Sequence, residues 1–173
     1  KDKFGYGYKG VLYGGFIATA DGVKLIEYNA RFGDPEAMNV LSLLESDFIE
    51  ICNGITDCRL NQVNVRFKNK ATVCKYAVPE GYPDNPVKGE SIDLSKIENP
   101  DTLFYASVDM HNGKLIEAGS RTVAVVGMAE SISAAEQIAE KEVSAVGGPL
   151  FHRGDIGTDL LVQQRVEQMK LLR

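Results

Sequence analysis

The sequence has no tryptophan, only two histidines and three cysteines, and no long apolar run. Its 173 residues are 44% hydrophobic and 25% charged, a composition that excludes a disordered chain, a collagen or a disulfide scaffold. The apolar run from Val11 is broken by glycines and ends at Asp21-Gly22, well short of the ~18 residues that a membrane helix needs. These absences predict a soluble domain with no membrane partner.

The charge balance is acidic, with 19 Lys and Arg against 24 Asp and Glu. The basic residues are scattered and form no stripe that would neutralise a phosphate backbone, so we expect no nucleic-acid partner. Cys52, Cys58 and Cys74 are odd in number and lack metal-ligand spacing, which predicts reduced, buried side chains and a cytoplasmic location. The start, Lys1–Phe4, has no initiator Met and no signal peptide, and it predicts a cut inside a longer chain.

The first part of the chain predicts a hairpin followed by a helix. Strands Val11–Ala18 and Val23–Tyr28 flank a turn at Asp21-Gly22. Asp34 suits an N-cap and Pro35 the first helical position, and an apolar stripe continues until Asn53-Gly54, which is predicted to form a left-handed C-terminal cap. We therefore expect one helix of about five turns over this stretch.

The second part predicts several strands and then a helix. The predicted elements are strand over Asn61–Val78 with a polar break at Lys68-Asn69-Lys70 before Thr72–Val78, a loop over Pro79–Gly89, strands Leu103–Asp109 and Lys114–Glu117 around an Asn112-Gly113 turn, a strand over Thr122–Val126, a helix from the capping box Ser133/Glu136 to Gly147-Gly148, and a terminal helix over Asp159–Arg173. This order indicates an α+β fold, with a first domain over residues 1–58 and a second over residues 59–173.

The segment Gly5–Gly10 matches the pattern G-x-G-x-x-G of dinucleotide-binding loops. That pattern needs a strand before it and a helix after it, whereas here four residues precede it and a strand is predicted to follow. We interpret it as a flexible lead-in to the first strand.

A stronger signal lies at the end of the second predicted strand, where Glu27, Asn29 and Arg31 share parity and face the same side. Carboxylate and amide oxygens are ligands that Mg²⁺ takes together with water and phosphates. An arginine beside them would stabilise charge on a transferring phosphoryl group, and the following helix N-terminus would hold a phosphate or carboxylate. From spacing alone, a solvated or interdomain Glu27–Arg31 ion pair is an equally good explanation.

The residues around this signal resemble a known family. Tyr8–Thr19 and Leu25–Glu36, with the run E-Y-N-A-R-F-G-D-P-E, resemble the end of the ATP-grasp domain in phosphoribosylamine–glycine ligases. Three later segments, Pro79–Pro83, Gly119–Val123 and Arg153–Gly157, resemble that family's A-x-G-Y-P, G-G-R-V and R-x-D-I-G segments. The resemblance implies the end of an ATP-grasp domain followed by a small, mainly antiparallel β domain with one or two helices.

The resemblance also implies roles for individual residues. Glu27 and Asn29 would be the ligands of Mg²⁺ or Mn²⁺, and Ile26 would form an apolar floor for the adenine of ATP. Arg31 would be the catalytic, phosphate-facing cation. The residues assigned to substrate binding are Arg31, Gly33, Asp34 and Arg121. For Arg121, an ion pair with Glu117 is an equally good interpretation.

The implied reaction is ATP-dependent ligation of glycine to 5-phosphoribosylamine through a glycyl phosphate, giving glycinamide ribonucleotide, ADP and phosphate in purine biosynthesis. The family's N-terminal domain, its glycine-rich flap and its nucleotide-binding lysine have no counterpart here, so we expect the chain alone to be inactive. The alternatives are another ATP-grasp carboxylate–amine ligase, a carboxylase, or a non-catalytic interdomain docking module.

Overall fold

The structure, a computed structural model, describes residue 5 and residues 7–172. The chain divides into two compact units: one takes in the described residues up to Asn69 with the chain from Glu167 onward, and the other spans Lys70–Val166. Helices and antiparallel sheets occur together, which confirms the α+β class. Within the described residues, no helix combines the length and the apolar character needed to cross a membrane.

The first unit contains an antiparallel hairpin of β1 (Tyr13–Thr19) and β2 (Gly22–Asn29). The hairpin was predicted, but its two loop residues are Ala20 and Asp21, one position earlier than expected, and Gly22 pairs with Thr19 at φ +99°. The lead-in before β1 forms no strand or helix over its described residues, and Tyr6 lies outside them, as do Lys1–Phe4.

The prediction of one long helix after the hairpin is wrong. The structure has two helices, α1 (Glu36–Leu43) and α2 (Phe48–Thr56). The backbone is extended at Leu44, and Asp47 caps α2 by accepting hydrogen bonds from Ile49 N at 2.7 Å and Glu50 N at 3.3 Å. The sequence did not predict this break, because the apolar stripe continues with the same spacing on both sides of the capping residue Asp47.

The two ends of the predicted helix also differ. Asp34 is not the N-cap, because Pro35 occupies that position after a cis Asp34–Pro35 bond and α1 begins at Glu36. Gly54 does not end α2 but lies buried inside it, where a β-carbon would stand 2.7 Å from Val63 Cγ2. A close contact, and not a left-handed cap, therefore explains this glycine.

The second unit is built on a four-stranded antiparallel sheet. Its strands and helices are β3 (Ala71–Pro79), β4 (Leu103–Tyr105), β5 (Val108–His111), β6 (Lys114–Glu117), β7 (Val123–Ala129), α3 (Ile132–Ser144), β8 (Leu150–His152) and α4 (Asp159–Leu171), of which the end from Glu167 belongs to the first unit. The strand order in the sheet is β4-β7-β3-β8. β5 and β6 form a separate hairpin through the predicted Asn112-Gly113 turn. Two short 3₁₀ turns occupy Leu60–Gln62 and Pro100–Thr102.

Several boundaries in this part of the chain were predicted wrongly. The strand expected from Asn61 up to the polar break does not form, whereas the part expected after the break, Thr72–Val78, lies within β3. The strand expected over Leu103–Asp109 is two strands in different sheets. Ser131, and not Ser133, caps α3 by accepting from Ala134 N, and α3 ends at Ser144. The short strand β8 was not predicted, because three residues carry too weak a pattern.

One face of the sheet is covered by α3 at close range. Ala135 and Ala139 are fully buried against Val73, and Val123 on β7 is fully buried in the adjoining core. A β-carbon on Gly127 would lie 2.0 Å from the backbone oxygen of Ala135. Small residues at these positions let the helix backbone approach the sheet.

The cysteines do not all match the prediction. None of the three forms a disulfide, but only Cys74 is buried, whereas Cys52 is half-buried and Cys58 is exposed. Cys58 follows the end of α2 at φ +58°, and its N–H donates to Ile55 O. Cys58 lies beyond the end of this helix, where its side chain is exposed.

Lys75, on β3, has a fully buried side chain whose ammonium is held by α3 and the loop after β8. Nζ donates to Glu136 Oε1 at 2.6 Å, to Glu140 Oε2 at 2.5 Å and to Gly154 O at 2.9 Å. Glu140 Oε1 also lies 2.9 Å from His152 Nε2. The ammonium therefore joins a strand, a helix and a loop.

This network shifts two pKa values. Burial alone would lower the pKa of Lys75, but the hydrogen bonds that its ammonium donates to Glu136 and Glu140 outweigh burial, and the pKa is raised. Burial would raise the pKa of Glu140, but hydrogen bonds with Lys75 and His152 outweigh it and the pKa is lowered.

We expect the second unit to lose stability in acid through Glu140. Because its folded-state pKa is lowered, its contribution is present above the usual value of 4.5 and is lost as pH falls through the folded-state pKa. Urea unfolding of the chain between pH 7 and pH 2.5 should show a shallower acid loss in Glu140→Gln than in the parent.

Glu98→Gln is the matched control for this prediction, because Glu98 forms an exposed salt bridge with Lys141, which lies on the same helix as Glu140. The control should keep the parent's acid dependence. Equal acid dependence in the parent and in Glu140→Gln would contradict the assignment.

Candidate functional site

The two predicted metal ligands lie side by side at the end of β2. Asn29 Nδ2 donates to Glu27 Oε1 at 2.9 Å; Glu27 is exposed and Asn29 is half-buried. Because the amide nitrogen is the donor, Asn29 Oδ1 keeps its acceptor capacity, as does the second carboxylate oxygen of Glu27. The pair therefore presents hard oxygen atoms from one short stretch of strand.

The described residues contain no group of three or more His, Cys, Asp or Glu arranged to hold a metal ion. A cation bound by Glu27 and Asn29 would therefore need further ligands besides these two side chains. That fits Mg²⁺, which commonly takes one or two protein ligands and completes its shell with phosphate oxygens and water. The donor set suits a cation bound together with a nucleotide.

A β-bulge lies beside this pair. Gly15 pairs with Glu27 and Phe16 pairs with Leu25, so Ile26 is the extra residue of β2. A β-carbon on Gly15 would stand 3.5 Å from Glu27 Cγ and 3.8 Å from Ile26 Cβ. Because of the bulge, side chains do not alternate strictly between the two faces of β2 at Ile26. The side chain of Ile26 is 65% exposed and lies next to Glu27 in the chain.

Arg31 lies two residues beyond the end of β2, so strand parity does not place it with Glu27 and Asn29. Its side chain is exposed, and Nη1 donates to Phe32 O at 2.7 Å. The structure thus brings together two of the three side chains that the parity argument grouped, and it places the third on the loop that follows.

The loop from Ala30 to Pro35 joins β2 to α1. Gly33 is buried and Asp34 is exposed. The N–H groups of Ala37 and Met38 donate to Gly33 O at 2.9 Å and Pro35 O at 3.0 Å. These two donors are therefore engaged within the loop and the first turn, and the anion site at this helix start stays a prediction.

Two residues near the site were missed by the sequence analysis. Tyr13, on β1 opposite Asn29, donates its hydroxyl to Glu36 Oε1 at 2.9 Å. The hydrogen bond to Glu36 is the main reason that the pKa of Tyr13 is raised, with burial and the Glu27 charge adding to it. Cross-strand register, which only the fold supplies, was needed to find this contact.

Arg121 belongs to the second unit and lies just before β7. Its guanidinium carbon is 5.3 Å from the centroid of the Tyr76 ring, a cation–π geometry. Glu117 is fully buried and accepts hydrogen bonds from Glu90 N at 3.1 Å and Gly119 N at 3.0 Å. Glu117 therefore anchors the backbone of the loop that leads to Arg121.

Comparison with known proteins first defines a class. The model of the phosphoribosylglycinamide synthetase ATP-grasp (A) domain matches residues 2–37, which include the hairpin. The model of the phosphoribosylglycinamide synthetase C domain matches residues 72–159, half of the chain. The chain therefore belongs to the phosphoribosylglycinamide synthetase family. Its residues 2–37 match part of the ATP-grasp domain of that family.

Individual relatives agree with this assignment. The phosphoribosylamine–glycine ligase of Methanocaldococcus jannaschii is 54% identical over 170 residues, which cover 96% of this chain and 38% of that protein. That of Methanosarcina acetivorans is 52% identical over 172 residues, covering 99% and 39%. The crystal structure of the Thermotoga maritima phosphoribosylamine–glycine ligase matches with a TM-score of 0.71 and 28% identity, covering 89% of this chain and 38% of that one. The chain thus spans somewhat over a third of these relatives.

Proposed function

We propose that this chain forms the C-terminal part of an ATP-dependent ligase that joins glycine to 5-phosphoribosylamine in purine biosynthesis. The observation that carries the proposal is that a match to phosphoribosylamine–glycine ligases over nearly the whole chain includes both Glu27 and Asn29 and the second unit. In this proposal, residues 1–58 end an ATP-grasp domain and residues 59–173 form the C-terminal domain.

Glu27 and Asn29 would hold Mg²⁺ or Mn²⁺, and the bound cation would neutralise charge on the phosphates of ATP. Ile26, beside Glu27 at the bulge, would offer an apolar contact to the adenine. Arg31 would face the phosphates as a fixed cation. Gly33, Asp34 and Arg121 remain proposed substrate contacts, Gly33 through its backbone because it has no side chain.

The chemistry suits these residues. Phosphorylation of the glycine carboxylate crowds negative charge, and the acyl phosphate that forms must be kept from water until the amine attacks it. No side-chain nucleophile is required, since the amine of 5-phosphoribosylamine displaces phosphate. Glu27, which is exposed, would hold a cation against the phosphates, and the exposed guanidinium of Arg31 would offset negative charge on the phosphoryl group directly.

A chimera tests the proposal. The 170-residue region of the Methanocaldococcus jannaschii ligase that matches this chain would be replaced by this chain. We expect the chimera to release ADP only when glycine and 5-phosphoribosylamine are both present, and the chain alone to release none. ADP release driven by bicarbonate or by another amine would support the carboxylase or other-ligase alternative, and no release from a folded chimera would support the docking module.

A further inference from the structure

The hydroxyl of Tyr13 links the strand beside the proposed metal ligands to the first turn of α1. Tyr13 pairs with Asn29 across the hairpin, and its Oη lies 2.9 Å from Glu36 Oε1 in a part-buried contact. The proposed ligand strand and the helix that follows it are therefore joined by one hydrogen bond to a carboxylate, a stronger type than a neutral one.

The same two side chains enclose the loop between them. A β-carbon on Gly33 would lie 2.4 Å from Glu36 Oε2 and 3.1 Å from Tyr13 Cδ2. Gly33 O also accepts from Ala37 N at 2.9 Å. The backbone at Gly33 is thus confined by the tyrosine ring, the carboxylate and the helix start, while its neighbours Arg31 and Asp34 stay exposed.

We propose that Tyr13 and Glu36 are positioning residues. Their hydrogen bond fixes the position of the loop that carries Arg31 and Asp34 relative to Glu27 and Asn29. The inference rests on the proposed function, because it assigns the pair a role in that reaction. Neither residue needs to touch a substrate. The pair acts by fixing where the loop's charged side chains stand, and a misplacement of about 1 Å can cost roughly a hundredfold in rate.

The test uses the chimera with three variants at the pair. Tyr13→Phe removes only the hydroxyl, Glu36→Ala removes the acceptor, and Glu36→Gln keeps an oxygen acceptor for the hydroxyl. We expect Tyr13→Phe and Glu36→Ala each to lower kcat about ten- to a hundredfold. We expect Glu36→Gln to keep kcat within about threefold of the parent, and the double variant to lose no more than either single variant.

Tyr28→Phe is the matched control, because Tyr28 lies on the same hairpin and its exposed ring packs edge-on against Phe16. Its kcat should be unchanged. A purely structural role would lower the amount of folded enzyme while leaving kcat per folded site unchanged, so active sites are counted by tight binding of a bisubstrate inhibitor.

The outcomes separate the two claims. No ADP release dependent on glycine and 5-phosphoribosylamine in the unsubstituted chimera would overturn the proposed function, and the positioning role with it. Full release together with unchanged kcat in Tyr13→Phe, or a Glu36→Gln loss equal to that of Glu36→Ala, would overturn the positioning role alone.

Discussion

Glu27→Ala in the chimera should lower kcat/KM at least a thousandfold, about 4 kcal/mol of transition-state stabilisation. Glu27 is the only carboxylate of the proposed ligand pair, and Asn29 alone offers a single neutral oxygen. The remaining site would lose most of its affinity for a divalent cation at the phosphates. Initial rates of ADP release at varied ATP, with glycine and 5-phosphoribosylamine saturating, give kcat/KM for ATP and measure the effect.

Glu50→Ala is the control for Glu27→Ala, because Glu50 is an exposed carboxylate on α2 of the same unit. It should retain parental activity. A Glu27→Ala chimera that keeps a tenth or more of the parental kcat/KM would remove Glu27 from the metal site. The proposed reaction could still stand in that case, because the unsubstituted chimera tests it separately.

Lys75→Met should destabilise the second unit by about 3–5 kcal/mol, the usual cost of breaking a buried ion pair from one side. Methionine fills much the same volume, so the loss comes from Glu136 and Glu140, whose carboxylates would lose their shared ammonium. Gly154 O would lose its donor as well. Hydrogen exchange at amides of β3 and β7 measures this unit by itself.

Lys141→Met supplies the control for Lys75→Met, because Lys141 pairs with Glu98 where both side chains are more than 60% exposed. Its effect should stay below about 1 kcal/mol. Adding Glu136→Gln to Lys75→Met should recover part of the loss by removing one uncompensated charge. A Lys75→Met effect no larger than that of Lys141→Met would contradict a structural role for the buried ammonium.

Local signals were sufficient for some elements. The Asn112-Gly113 turn was predicted correctly because its two residues adopt left-handed conformations that these residue types favour. The terminal helix begins at Asp159 as predicted and continues to Leu171, with Arg173 outside the described residues. Both signals depend on residues close together in the chain.

Other predictions failed where distant residues decide. Glu136 looks like the second member of a capping box with Ser133, but it bonds the buried Lys75, and Ser133 donates to Asp159 instead. A capping box is read from four consecutive residues, whereas Glu136 takes a partner 61 positions away. The tertiary partner is the stronger one because its ammonium is buried and charged.

The sequence by itself determined the α+β class, the first hairpin and the adjacency of Glu27 and Asn29, because two residues apart on a strand must share a face. It also carried the family resemblance through the run from Glu27 to Glu36. Only the tertiary structure decided the bulge at Ile26, the Tyr13–Glu36 contact and the burial of Lys75. These depend on cross-strand register and helix packing, which bring together residues that no local pattern relates.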